Sequence, residues 1–134
     1  MNRLRALVIT TLPFVALAVG CSPSNHYADP EIKNLNPAES SLIVEPRGNP
    51  VIVLSVDGKS AGTRSDFQGR QFWVRPGIHH VVVRYNDGAR MSTHNAEVSF
   101  VTEAGGRYQL EHWPPKVKDL ATKKAVPHQV RGSE

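Results

Sequence analysis

Between residues 41 and 113 no apolar run goes more than about nine residues without meeting a strong turn signal, and that punctuation limits the fold more than any other feature of the chain. SLIVE (41–45) gives way to Pro46-Arg47-Gly48-Asn49-Pro50, and VIVLSV (51–56) stops at Asp57-Gly58, a pair that tolerates the positive φ of a tight hairpin. RQFWVR (70–75) stops at Pro76-Gly77, where proline presets the first turn position and glycine takes the left-handed second. IHHVVVRY (78–85) ends at Asn86-Asp87-Gly88, NAEVSFVT (95–102) at Ala104-Gly105-Gly106, and RYQLEHW (107–113) at Pro114-Pro115. Six β-rich runs so closely spaced predict an all-β fold, a small antiparallel β-sandwich. Segment 117–125 is the one place where a short helix competes.

Side chains two apart on a strand share a face. Alternation therefore predicts a core of Ile52, Leu54 and Val56; Phe72 and Val74; Val81, Val83 and Tyr85; Ala96, Val98 and Phe100; Tyr108 and Leu110. The complementary outward set contains Trp73, Arg75, His80, Arg84, Arg107 and Trp113, and aromatic and arginine side chains are what recognition surfaces favour. These six are the expected ligand or partner face; the alternative for the tryptophans is that they cap the open edges of the sandwich.

Charge narrows the choice of partner. The net charge of +4 comes from the ends: two cations lie in 1–20, and five cations face two anions in 114–134. The body between them holds nine cations against ten anions. A near-neutral domain offers no basic groove, so no nucleic-acid partner is expected.

The N-terminus carries a different message. MNRLR (1–5) is positive and ALVITTLPFVALAVG (6–20) is apolar; the sole cysteine, Cys21, follows at once. Charged start, apolar stretch and small residues before a break describe a secretory signal peptide. Fifteen apolar residues with Pro13 among them fall short of the roughly 20 a spanning helix needs. A lone exported thiol has no partner for an internal disulfide. Leu17-Ala18-Val19-Gly20-Cys21 resembles the lipobox of bacterial lipoproteins, with Ala18 where that family prefers leucine. The resemblance implies diacylglycerol on the Cys21 sulfur, cleavage before it, and a membrane-anchored mature protein. Ser22, in place of the aspartate that retains such proteins at the inner membrane, implies the outer membrane facing the periplasm where a cell has two membranes. Ala18 and Gly20 also satisfy ordinary secretory cleavage, which would leave a soluble periplasmic product.

Four segments follow from this reading. Residues 1–20 are the signal peptide, and 21–40 are a lipidated start and flexible tether with a typical reach of ~25 Å. Residues 41–113 are the β-domain. Residues 114–134, polar and basic, are a mobile tail, a solubilising segment or an attractant for anionic membrane.

Catalytic signatures are sparse. His79 and His80 are adjacent on an expected strand and point to opposite faces. His26, His94, His112 and His128 form neither a His-Glu-x-x-His helix nor a cysteine-paired site, so no metal or other cofactor is expected. The chain contains no Gly-x-Ser-x-Gly elbow, no Ser-x-x-Lys pair and no phosphate-cradling glycine loop. A non-enzymatic role is the expectation, with a small envelope hydrolase as the rival.

VDGKSAG (56–62), VRPGIHHVVVRY (74–85) and EAGGRYQLE (103–111) together resemble PEGA-like domains and related small β-sandwich modules of envelope lipoproteins, over residues 50–112. The Pro-Glu-Gly-Ala signature itself is absent. The resemblance implies a binding or structural role in the envelope and brings no catalytic residues with it; the expected partner is another envelope protein or, if Trp73 and Trp113 share one exposed face, glycan or peptidoglycan.

Overall fold

The computed structural model describes residues 26–29, 32, 35–62 and 69–132; the signal peptide and Cys21 lie outside the described residues. Ten strands are present: β1 (His26–Ala28), β2 (Ser41–Glu45), β3 (Val51–Val56), β4 (Lys59–Ser60), β5 (Arg70–Val74), β6 (Gly77–Tyr85), β7 (Ala96–Thr102), β8 (Arg107–Glu111), β9 (Lys116–Asp119) and β10 (His128–Arg131). They form two five-stranded sheets, one in the order β1-β5-β2-β8-β9 and the other β10-β7-β6-β3-β4. The fold is an all-β sandwich, with no helix among the described residues.

The second sheet is antiparallel throughout, because each of its pairs is a hairpin or a strand returning along its neighbour. The first is mixed. β1 runs parallel to β5 and β2 parallel to β8. Parallel neighbours need a long connection, and the chain supplies one by leaving β2 for the other sheet before returning to build β5 and β8.

The core lies between the sheets. Ile43, Val51, Val53, Val56, Phe72, Val74, Val81, Val83, Ala96, Val98, Phe100, Tyr108, Leu110 and Val117 form one buried cluster. Alternation predicts β5 through β8 correctly, with Tyr85 only partly buried at the rim. β3 departs from it. Val53 pairs with Val83 while Ser55 pairs with Val82, so Leu54 is an inserted residue in a β-bulge. The bulge reverses the in–out phase: Val51 and Val53 precede it on the core side and Val56 follows on the same side. Ile52 is buried but stands outside the central cluster and Leu54 is half-buried, so these two expected core residues are displaced by Val51 and Val53.

The expected mobile tail is also corrected over two stretches. Lys116–Asp119 pairs with β8, and His128–Arg131 pairs with β7. Each covers the otherwise open edge of a sheet, where unpaired backbone groups invite association with other chains. Val117 is completely buried, and Val126 and Val130 pack on the core. The helical alternative at 117–125 gives way to a return of the chain, with Val126 N–H donating to the Val117 carbonyl at 2.9 Å. Within the expected tether, residues 26–28 instead extend the β5 edge, and Asp29 N–H continues the ladder to the Trp73 carbonyl at 2.9 Å.

Candidate functional site

A strand alternates between an inner and an outer face, but a sandwich has two outer faces, and the six expected surface residues divide between them. Trp73 and Arg107 belong to the first sheet, each in register with Leu42, so Trp73, Leu42 and Arg107 make a row across its outer surface. His80 and Arg84 are exposed on the second sheet, across the core. Arg75 sits just beyond β5, where its Nε donates to Asp29 Oδ2 at 3.3 Å. Trp113 occupies the turn after β8 and packs partly on the core. The single six-residue face is therefore not formed.

Two polar clusters are tied into the framework. His79, 5% exposed, has Nδ1 2.6 Å from Asp57 Oδ2 and Nε2 2.5 Å from the Arg75 carbonyl. With both ring nitrogens engaged, neither is left to act as a base or a metal ligand. Asp57 Oδ1 accepts the His80 N–H at 2.8 Å, so this group fastens the β3–β4 turn to the start of β6. At the other end, the buried Glu45 and Arg70 side chains form a bidentate ion pair, with Arg70 also 5.2 Å from the Phe72 ring centroid.

Several open grooves of about 400–580 Å³ mark the surface, and the one of about 580 Å³ at one end of the sandwich brings two aromatic rings together. It is lined by Pro50, Tyr85, Arg90, Met91, Ser92, Thr93, His112 and Trp113. Its location follows from the topology. Glu45 opposes Arg70, Glu111 opposes Lys116, and Val51 opposes Tyr85. The five-residue connection from β2 to β3 brings these ends together at one pole. The rings of Tyr85 and Trp113 meet at 6.0 Å between centroids, tilted by 44°, an arrangement that aromatic quadrupoles favour.

The Tyr85 hydroxyl donates to Asp87 Oδ2 at 2.9 Å, while Asp87 Oδ1 accepts the Ala89 and Arg90 N–H groups at 2.9 and 2.6 Å. Two backbone donors and the phenol hold the Asp87 carboxyl below the usual carboxylate range. The same Asp87 bond, with smaller help from desolvation, raises the Tyr85 phenol above its ordinary value. This network fixes the β6–β7 loop and sets the wall that carries Arg90 and Met91. Of the six sequence-selected residues only Trp113 contributes to the groove; Met91, 66% exposed, is its most open apolar side chain. Met91 interrupts no strand pattern and belongs to no motif, so nothing in the sequence singled it out.

No family model, no curated protein and no solved structure matches this chain. Among the described residues there is no group of three or more His, Cys, Asp or Glu side chains placed to hold a metal ion. Nor is any helix among them long and apolar enough to cross a membrane.

Proposed function

We propose that this chain is a lipid-anchored protein of the bacterial cell envelope: cleaved before Cys21, acylated on that sulfur, and presenting its β-sandwich as a binding or structural module rather than an enzyme. The observation that carries the reading is the position of the only cysteine, directly after a positive start and a 15-residue apolar run that ends in Leu-Ala-Val-Gly. Ser22 favours the outer membrane, with the domain on the periplasmic side. The fold is in keeping with a delivered module, since its core closes without a disulfide and both sheets are finished by their own C-terminal strands.

Acyl chains explain retention in physical terms. One myristoyl-sized chain binds reversibly, whereas each further buried CH₂ adds ~0.8 kcal/mol, so two or three chains hold the protein at the bilayer. The test is growth of expressing cells with labelled palmitate. Label should enter the wild-type protein, which should leave the membrane only with detergent. An unlabelled protein, or a purified one that still begins at Met1, would end the proposal. A glycan-binding role would gain from two tryptophans on one exposed face, and Trp73 and Trp113 do not share one.

A further inference from the structure

Resting on the lipid-anchor reading, we infer that the pole bearing the Tyr85–Trp113 groove is a membrane-docking surface, which seats Met91 and Trp113 in the interfacial region of an anionic bilayer. The first argument is chain length. Four residues separate Cys21 from His26, the first residue of β1, and five Cα–Cα steps reach at most ~18 Å. β1 runs parallel to β5, with His26 opposite Gln71, so the chain enters the domain at the Arg70 end of β5. That end is the groove pole. β1 is held there at its far side by Asp29, whose carboxylate meets Arg75 at 3.3 Å and Lys59 at 3.8 Å. An acylated Cys21 therefore lies within ~18 Å of the point where the chain enters the domain, at this pole.

The second argument is chemical. Exposed at this pole are Arg47, Arg90, Lys116 and Arg131, none with an ion pair among the described residues. Among the described residues the acids at this pole are outnumbered: Asp87, Glu97 and Glu111 face these four cations and Lys118, which pairs with Glu111 at 3.6 Å, while Glu97 lies opposite Arg131 in the β7–β10 register. At the opposite pole Glu39, Asp57, Glu103 and Asp119 offset its cations. An excess of exposed cations around an exposed methionine and a half-exposed tryptophan fits anionic headgroups over acyl chains, the environment in which amphipathic aromatic and long basic side chains concentrate.

The test uses the mature acylated protein in vesicles of phosphatidylcholine with phosphatidylglycerol, carrying a fraction of spin-labelled phospholipid. Since the Cys21 sulfur is blocked by lipid, Met91→Cys and, at the far pole, Lys123→Cys each accept a single thiol-reactive fluorophore at an exposed site. Flotation of each protein with the vesicles reports the anchor by itself. The inference expects loss of emission from the Met91→Cys label, little loss from the Lys123→Cys label, and a smaller contrast in pure phosphatidylcholine or after Arg90→Glu with Lys116→Glu. Flotation with both labels unquenched, or quenched alike, overturns the docking surface while leaving the anchor intact. Failure to float overturns the anchor reading and the inference with it. A Met91→Cys label that ignores lipid but responds to soluble peptidoglycan fragments assigns the groove to glycan instead and likewise overturns docking.

Discussion

Glu45 and Arg70 face each other across the β2–β5 ladder and together complete the hydrogen bonding of Val53, a residue of the opposite sheet. Glu45 Oε2 accepts the Val53 N–H at 2.7 Å, and Arg70 donates to the Val53 carbonyl at 2.6 Å. Between themselves they share contacts of 2.7 and 3.0 Å, and Arg70 also donates to the Ala61 and Gly62 carbonyls. Val53 stands at the bulge, where the regular ladder is interrupted. A buried ion pair from one sheet thus satisfies the backbone of the other and bolts the two layers together.

Removing one partner should therefore be costly. Arg70→Ala leaves Glu45, 1% exposed, charged and without its counter-ion, at an expected cost of about 3–5 kcal/mol. Arg70→Met with Glu45→Leu should cost less than the two single changes added together, because no orphan charge remains. It should still fall short of wild type, since the Val53 N–H and carbonyl lose their partners, each worth about 1–3 kcal/mol when buried unsatisfied. Urea unfolding of Arg70→Ala, of Arg70→Met and Glu45→Leu singly, and of the double variant checks this; additive losses would mean that the pair is not coupled.

The Asp87 network makes a prediction with a defined sign in pH. Asp87 is held below its ordinary value, so its contribution to stability is present above the carboxyl's unfolded pKa and fades as pH falls through the lower folded one. Asp87→Asn should weaken the fold at neutral pH, with the deficit vanishing in acid. Tyr85 is raised, so its contribution is present below the ordinary phenol value and is lost as pH rises through the higher folded one. In Tyr85→Phe the Asp87 carboxyl should move back up toward the usual range. NMR titration of the Asp87 side chain measures it, and an unmoved midpoint would remove the phenol from the network.

The C-terminal strands should behave as structure, not as a tail. Val117→Ala removes two buried carbons from a fully enclosed site and should cost about 2 kcal/mol, counting transfer and the cavity left behind. Lys123→Ala, on the exposed turn, should stay within about 0.5 kcal/mol of wild type. Limited trypsin digestion should spare the bond after Lys118, inside β9, longer than those after Lys123 and Lys124. Rapid cleavage at all three would return the segment to a mobile state.

Much of the sandwich was legible because the inner strands obey the period of two while strong turn residues bracket them. What was not legible has three physical sources. Leu54 looks like any other apolar strand residue, yet it is the extra residue of a bulge; only the pairing of Val53 and Ser55 with β6 reveals the change of phase. Lys116–Asp119 and His128–Arg131 are polar because edge strands bury only part of one face, so the composition that suggests a loose tail also suits an edge. Alternation, finally, marks Trp73, Arg84 and Arg107 as outward without saying which sheet each will join. That decides whether outward residues meet. The groove is assembled by loop ends from β3, β6 and β8, and of its lining only Trp113 belonged to the outward set marked by alternation.

Ala104-Gly105-Gly106 needs its two glycines for different reasons, and substitution should separate them. Gly105 has φ 75°, a left-handed conformation; a side chain there would approach only the Ala38 carbonyl, at 3.7 Å. Gly105→Ala should cost about 1–2 kcal/mol of backbone strain alone. A Cβ on Gly106 would instead come within 2.5 Å of the Tyr108 hydroxyl and 2.7 Å of its ring. That ring is pinned: it is 3% exposed, tilted on Phe100 at 5.8 Å, and its oxygen accepts the Glu103 N–H at 2.8 Å. Gly106→Ala should therefore displace Tyr108 and cost about 1–3 kcal/mol, lowering Tm by about 4–8 °C for each kcal/mol. Gly105→Ala should leave the near-ultraviolet circular dichroism of the tyrosines unchanged, whereas Gly106→Ala should alter it. Equal spectra with equal losses would show that both positions respond to the same backbone constraint and that the ring contact is not what limits Gly106.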